Sequence, residues 1–129
     1  MSDQDWLSWG NKCLTQAYDP SADIKLKKWE LTLTDDSFIR LRKIYQNGKQ
    51  EYFSFQLHRL DNMDYAGNEN AGTLQLKAKG DDIIVQTHND RKGDIDTMAT
   101  VLNIPVKNMP IERLDSLREA LNYFKEKSL

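Results

Sequence analysis

The segment Gln46-Asn47-Gly48 constrains the fold of this chain more than any other feature, because the length of its loop decides which side chains are buried. A two-residue turn at Asn47-Gly48 would put Phe53 and Phe55 on the face that carries the arginines of the preceding strand. A three-residue loop, with Gly48 in the left-handed conformation of a bulge, shifts the pairing by one residue. We predict the three-residue loop, because it separates an apolar face from a polar one.

The predicted register gives this hairpin one apolar and one polar face. The apolar pairs are Leu41–Phe53 and Ile39–Phe55, and Lys43 faces Glu51. The polar face carries the side chains of Arg40, Arg42, Tyr52, Ser54 and Gln56. The pattern therefore predicts an antiparallel sheet that is buried on one side.

The length and composition favour one globular domain over residues 1–129. A chain of this size buries about two-thirds of the surface that its unfolded form exposes, which is enough for a core of its own. Apolar residues make up 39% of the sequence and charged residues 29%, which excludes collagen-like and wholly disordered classes. The net charge of −2 gives the molecule no general attraction to nucleic acid or to anionic lipid.

Three features of the sequence predict a cytoplasmic protein. No apolar run approaches the roughly 20 residues that a membrane span requires. The first residues, Met1-Ser2-Asp3-Gln4-Asp5, are acidic, whereas a secretory signal begins basic and continues apolar. The single cysteine, Cys13, has no partner for an internal disulfide, which suits a reducing compartment. We expect Cys13 to be a small buried residue on a helix.

Two amphipathic segments predict a helix at each end of the chain. Residues 3–18 carry an apolar stripe, Ser2 and Asp5 form a capping box, and Asp19-Pro20 ends the helix. Pro110 opens the second helix, whose apolar residues recur every three or four positions: Ile111, Leu114, Leu117, Leu121 and Phe124. Because each helix has one apolar stripe, we expect both to pack on the apolar face of the sheet.

Between the helices, alternating apolar and polar residues predict about six strands. The alternation covers 29–34, 37–46, 49–60, 74–78, 83–88 and 98–106, with a hairpin turn at Gly80-Asp81-Asp82 and an edge position at Pro105. Residues 61–72 have no period and little hydrophobicity, so we predict a loop there. The predicted fold class is α+β: an N-terminal helix, a twisted antiparallel sheet of about six strands in a meander, and a C-terminal helix, with both helices on one face of the sheet.

The residue types that carry most enzyme chemistry form no motif in this sequence. His58 and His88 are the only histidines, and neither has the spacing of a metal-binding pair. The acidic stretches 61–69 and 90–96 do not match the ligand spacing of a calcium-binding loop. The sequence also lacks a glycine-rich phosphate loop and a nucleophile elbow. It therefore predicts no cofactor, no metal and no enzymatic activity.

One predicted surface, the polar face of the sheet, has a coherent composition. Basic and ring-bearing side chains collect there: Arg40, Arg42, Tyr52, His58, Lys77 and Lys79. Proteins that bind single-stranded nucleic acid use such side chains, because the cations follow the phosphates and the rings stack on the bases. These six residues are the predicted binding residues, and a merely solvated sheet face is the alternative interpretation.

The order of elements resembles that of PUR and whirly-type nucleic-acid-binding domains. The resemblance rests on the run Gly48-Lys49-Gln50-Glu51-Tyr52-Phe53-Ser54-Phe55 after a basic strand, and on the closing helix with Leu114-Asp115-Ser116-Leu117. It covers residues 37–127 and lies in the layout rather than in a diagnostic motif. It implies a strand-rich, helix-terminated domain that binds nucleic acid, and it assigns no binding residue. The Trp-bearing first helix and the acidic balance depart from that pattern.

The favoured function is that of a small non-enzymatic interaction module. The broad apolar face of the first helix, with Trp6 and Trp9, exceeds what one sheet covers and favours a protein partner or self-association. Single-stranded nucleic-acid binding across the basic sheet face is the alternative. An enzyme of unidentified type is the second alternative, and it requires a deep pocket where His58 or His88 approaches a carboxylate. No membrane partner is expected.

Overall fold

The computed structural model describes residues 2–127, which form two helices and eight strands. In chain order these are α1 (Asp3–Ala17), β1 (Leu26–Leu33), β2 (Phe38–Tyr45), β3 (Gln50–Gln56), β4 (Leu60–Gly67), β5 (Ala71–Ala78), β6 (Ile83–His88), β7 (Ile95–Ala99), β8 (Val101–Lys107) and α2 (Ile111–Glu126). Single-turn 3₁₀ helices cover Pro20–Ala22 and Leu57–Arg59. The predicted α+β class, with antiparallel strands between a helix at each end, is confirmed, and the strands are more numerous than predicted.

The predicted register around Gly48 is confirmed. Ile39 pairs with Phe55, and Leu41 pairs with Phe53. Gly48 has a φ of +89°, the left-handed conformation that the three-residue loop requires. Ile39, Leu41 and Phe55 are fully buried, because this register turns one face of both strands inward.

The strands lie in two antiparallel sheets rather than in one meander. The larger sheet has five strands in the order β1-β2-β3-β6-β7, and the smaller has three in the order β4-β5-β8. The chain changes sheet at Leu57–Arg59, at 79–82 and at Thr100. The hairpin predicted across Gly80 is therefore wrong, because β5 pairs with β4 and β8 while β6 pairs with β3 and β7.

Residues 61–72 were predicted to be a loop, and this prediction is wrong, because they form most of the hairpin between β4 and β5. Met63 is only 3% exposed, and Tyr65 packs against the core. Gly72 leaves space for Tyr65, since a Cβ at this position would lie 2.5 Å from the Tyr65 ring. After Leu60, the inward residues of β4 are Met63 and Tyr65, and they are separated by Asn and Asp, so the local composition does not indicate a strand.

One core joins the inner faces of both sheets to the two helices. α1 begins at the predicted capping box of Ser2 and Asp5 and buries Cys13. The buried positions of α2 recur at three- and four-residue spacing: Leu117, Ala120, Leu121 and Phe124. The helices also contact each other, because the Trp6 ring stacks on Tyr123 with centroids 5.4 Å apart. The apolar face of α1 is thus largely covered within the chain.

Candidate functional site

The outward side chains of the five-stranded sheet form the strongest candidate for a binding surface. Two cross-strand rows of these side chains span all five strands: Thr32–Arg40–Ser54–Ile84–Met98 and Glu30–Arg42–Tyr52–Gln86–Asp96. Alternate residues of the same strands, such as Leu31, Leu41 and Phe55, are buried in the core. The ten residues of the two rows therefore point away from the core, and we call this surface the outer face.

Arg40 and Arg42 lie beside Tyr52 and line a surface groove of about 280 Å³ with Glu30, Thr32 and Thr34. Neither arginine forms an ion pair with any residue of 2–127. The Arg40 guanidinium stacks over the Phe38 ring at 4.9 Å, and its Nε is buried without a hydrogen-bond partner in that range. Apart from this buried Nε, the N–H donors of both guanidinium groups are available to an acceptor that enters the groove.

At the β6–β7 end of the outer face, one of the two rows is apolar. Ile84 and Met98 are direct neighbours across these strands, and they are 40% and 52% exposed. Burial of one such side chain against a partner is favourable by roughly 1.5–3 kcal/mol at most. Neither residue was among the predicted binding residues, although Ile84 is the outward member of the apolar run Ile83-Ile84-Val85.

Lys77 and Lys79, two of the predicted binding residues, do not join the outer face. Lys77 lies on β5 of the three-stranded sheet, and its Nζ is 2.7 Å from the Asp64 carboxylate. Lys79 follows the end of β5, and its backbone N–H donates to the Arg59 carbonyl oxygen at 2.9 Å. The prediction that six residues share one face is wrong, because the chain changes sheet on either side of β4 and β5.

The two histidines also lie apart from the outer-face groove. His58 sits in the 3₁₀ helix, and its Nε2 lies 2.7 Å from the Lys127 carbonyl oxygen, a contact that requires a proton on Nε2. His88, the last residue of β6, is 3.3 Å from Asp94, and the two side chains are 45% and 67% exposed. The Asn89 backbone N–H, and then His88, lower the pKa of Asp94. The enzyme alternative requires such a pair in a deep pocket, whereas this pair is solvated.

The polar cluster around Tyr45 was not predicted from the sequence. The Tyr45 hydroxyl lies within hydrogen-bond distance of the Asp23 and Glu51 carboxylates, and the Lys43 Nζ is 3.5 Å from Asp23. Burial and the hydrogen bonds to Glu51 and Asp23 raise the pKa of Tyr45, so the phenol keeps its proton. These contacts tie the segment before β1 to the hairpin of β2 and β3, which gives the cluster a structural role.

Comparisons with protein-family models, with curated proteins and with solved structures find no match. The resemblance in layout to PUR and whirly-type domains gains no support from them. Among the described residues, no group of three or more histidine, cysteine or acidic side chains is arranged to hold a metal ion. Neither helix within 2–127 is long and apolar enough to cross a membrane. The outer face therefore stands as a candidate site on its geometry and charge alone.

Proposed function

We propose that this protein is a non-enzymatic interaction module that binds a partner protein across the outer face. The observation that carries the proposal is the combination of Arg40 and Arg42, which lack ion pairs within residues 2–127, with the exposed Ile84 and Met98 on the same surface. Cations that lack a partner on their own sheet retain their donors for another molecule. Exposed apolar side chains beside them mark a surface that gains free energy when it is covered.

The outer face also defines the chemistry of the partner. An arginine binds a carboxylate through two parallel hydrogen bonds, so Arg40 and Arg42 favour acidic side chains. Ile84 lies two strands from Arg40 in the same row, a separation of about 10 Å at the usual strand spacing. A partner segment with an acidic side chain about 10 Å from an apolar one matches this spacing.

The proposed location of the module is the cytoplasm. Its single cysteine, Cys13, is buried in the core. A thiol without a disulfide partner is typical of a reducing compartment. Fractionation of native cells with an antibody against the chain tests this location.

Matched bait variants test the proposed binding. Native co-purification with quantitative mass spectrometry compares the wild type, the double variant Arg40→Gln/Arg42→Gln, and Lys77→Gln on the other sheet. We expect the double variant to lose at least about tenfold in partner recovery, since a hydrogen bond to a charged group contributes about 1.5–3 kcal/mol. Lys77→Gln should recover the partner like the wild type. Equal recovery by all three folded baits would refute binding at the outer face.

Single-stranded nucleic acid is the second candidate ligand of this face, and one observation favours it. Arg42 and Tyr52 are direct cross-strand neighbours, so a cation adjoins a ring, as in single-strand binders. Glu30 and Asp96 lie in the same row and repel phosphate, which is why we place the protein partner first. Affinity for a labelled oligonucleotide should fall with added salt and with Arg42→Gln. Lack of binding at low salt would remove this candidate.

A further inference from the structure

Each sheet ends in two strands that pair with a neighbour on one side only. These edge strands are β1 and β7 of the five-stranded sheet and β4 and β8 of the three-stranded sheet. Natural proteins cover such edges, or interrupt them with proline, lysine or a bulge, because an open edge pairs with other chains. A comparison of the four edges therefore shows where a further strand can add.

Three of the four edges receive hydrogen bonds from other parts of the chain. These bonds measure 2.8–3.2 Å and join Asn11 to Leu33 on β1, Asp19 to Pro105 on β8, and Arg118 to Met63 on β4. β8 also contains Pro105, which marks the edge as predicted, and Tyr18 forms a single bridge to Val106. These three edges are thus partly occupied within the chain.

β7 has none of these protections. Within residues 2–127, no side chain or segment other than β6 forms a hydrogen bond to the backbone of Ile95–Ala99. The strand contains no proline, no lysine and no bulge. Its first four residues are exposed, and they include Ile95, at 38%, and Met98, at 52%. A bare edge with apolar side chains favours the addition of another strand.

We propose that β7 pairs antiparallel with β7 of a second copy, with the two-fold axis at Thr97. In this register Thr97 faces Thr97 of the second copy, Asp96 faces Met98, and Ile95 faces Ala99. Asp96 is the only charged residue of β7, and here it lies opposite an apolar side chain. A register centred on Asp96 would set two carboxylates opposite each other, which is destabilising.

The proposed pairing closes at two copies. Both copies use the same edge, so the contact is two-fold symmetric and leaves no complementary edge open. The two five-stranded sheets then form one sheet of ten strands. This inference rests on the open backbone edge of β7 and not on the partner proposed for the outer face. Asp96 and Met98 of β7 belong to the outer face, but Arg40 and Arg42 lie on β2, three strands away from β7.

Disulfide trapping tests the register. Directly opposed Cα atoms in an antiparallel pair lie about 4.5 or 5.5 Å apart, depending on the hydrogen-bonding phase, and a disulfide spans about 4.4–6.8 Å. Thr97→Cys should therefore form a disulfide-linked dimer under mild oxidation in either phase. In the same register the two copies of residue 98 lie about 8 Å apart, so Met98→Cys is the matched control and should stay monomeric on a non-reducing gel. Cys13 is buried and does not interfere.

Sedimentation equilibrium measures the association itself. We expect the wild type to form a dimer, and Thr97→Lys to raise its dissociation constant at least tenfold, because two lysines would face each other at the axis. Gln75→Lys adds the same charge to the three-stranded sheet and should leave the constant unchanged. Circular dichroism establishes that both variants fold.

Three results would each overturn the proposed pairing. The first is a wild type that stays monomeric at every concentration, and the second is a dimer that Thr97→Lys does not weaken. The third is equal cross-linking of the cysteine variants at positions 97 and 98. Because Arg40 and Arg42 lie three strands from β7, none of these results bears on whether the two arginines bind the proposed partner.

Discussion

The outward faces of the two sheets differ in how their charges are paired. On the three-stranded sheet, Lys77 and Asp64 form an ion pair of 2.7 Å. On the five-stranded sheet, Arg40 and Arg42 form none with the described residues, and exposed Ile84 lies in the row of Arg40. Both faces carry cations, so the number of basic residues does not distinguish them. The two faces differ in whether those basic residues form ion pairs within their own sheet.

The largest effect is expected directly beneath the outer face. Phe55 is fully buried on the inward side of β3, and Phe55→Ala should lower the free energy of unfolding by about 3–5 kcal/mol, because it removes buried contacts and leaves a cavity. Met98→Ala, on the outward side, should change it by less than about 0.5 kcal/mol in the monomer. Urea denaturation measures both values, at a protein concentration too low for the proposed dimer to form. Equal losses would contradict the assignment of inner and outer faces.

The glycines of the two hairpins provide the second contrast. Gly67 ends β4 with a φ of +144°, and a Cβ there would lie 2.4 Å from the Gly72 Cα. Gly48 also has a positive φ, but nothing lies within 4 Å of a Cβ added to it. Gly48→Ala should therefore lower the free energy of unfolding by about 1–2 kcal/mol through backbone conformation alone. Gly67→Ala should lower the free energy of unfolding by about 1 kcal/mol more than Gly48→Ala does, because it adds a steric clash. Urea denaturation measures both variants, and equal losses would contradict this steric reasoning.

A gain in stability is expected at the turn between β1 and β2. Ser37 is fully buried with a φ of 69°, and its hydroxyl has no hydrogen-bond partner among the described residues. Ser37→Gly relieves the left-handed conformation and removes the hydroxyl, so it should raise the free energy of unfolding by about 0.5–1 kcal/mol. Ser37→Ala keeps the Cβ and should gain less. A lower thermal midpoint for Ser37→Gly than for the wild type would show that this turn is not strained.

The smallest expected effect is a shift in the titration of Asp64, whose partner Lys77 is a paired cation. The hydrogen bond from Lys77 holds the pKa of Asp64 below its ordinary value of 3.8. Because the folded-state pKa is the lower one, the stabilising contribution of Asp64 is present above pH 3.8 and is lost as the pH falls through the folded-state pKa. Lys77→Gln should move the carboxyl titration of Asp64, followed by NMR, toward 3.8. Arg42→Gln is the control, and a shift of Asp64 in that variant would show that the two faces are electrostatically coupled.

The hairpin around Gly48 and the two helices could be predicted because local residues determine them. Phe53 and Phe55 face the core with one loop length and the polar side with the other, so the alternation alone selects the register. The spacing of Leu117, Leu121 and Phe124 likewise specifies the buried side of α2. Strand β4 could not be predicted in this way, because its inward residues are separated by Asn and Asp, which are uncommon in strands.

Three of the six predicted binding residues lie on one face, and the sequence pattern explains why these three do but not why the others do not. Arg40, Arg42 and Tyr52 belong to one local hairpin, so their common face followed from its register. Lys77 is placed by the pairing of β5 with β4 and β8, and that pairing depends on where the chain changes sheet. Such long-range choices depend on packing of the whole core rather than on alternation along one strand.

Trp6 meets its stacking partner Tyr123 only when nearly all of the chain is available. Ribosomes add about 5–20 residues per second, so α1 is made several seconds before α2 leaves the exit tunnel. During that interval Trp6 lacks the Tyr123 ring that stacks on it in the native structure. The packing around Trp6 is therefore completed only after α2 has been synthesised and closes over α1.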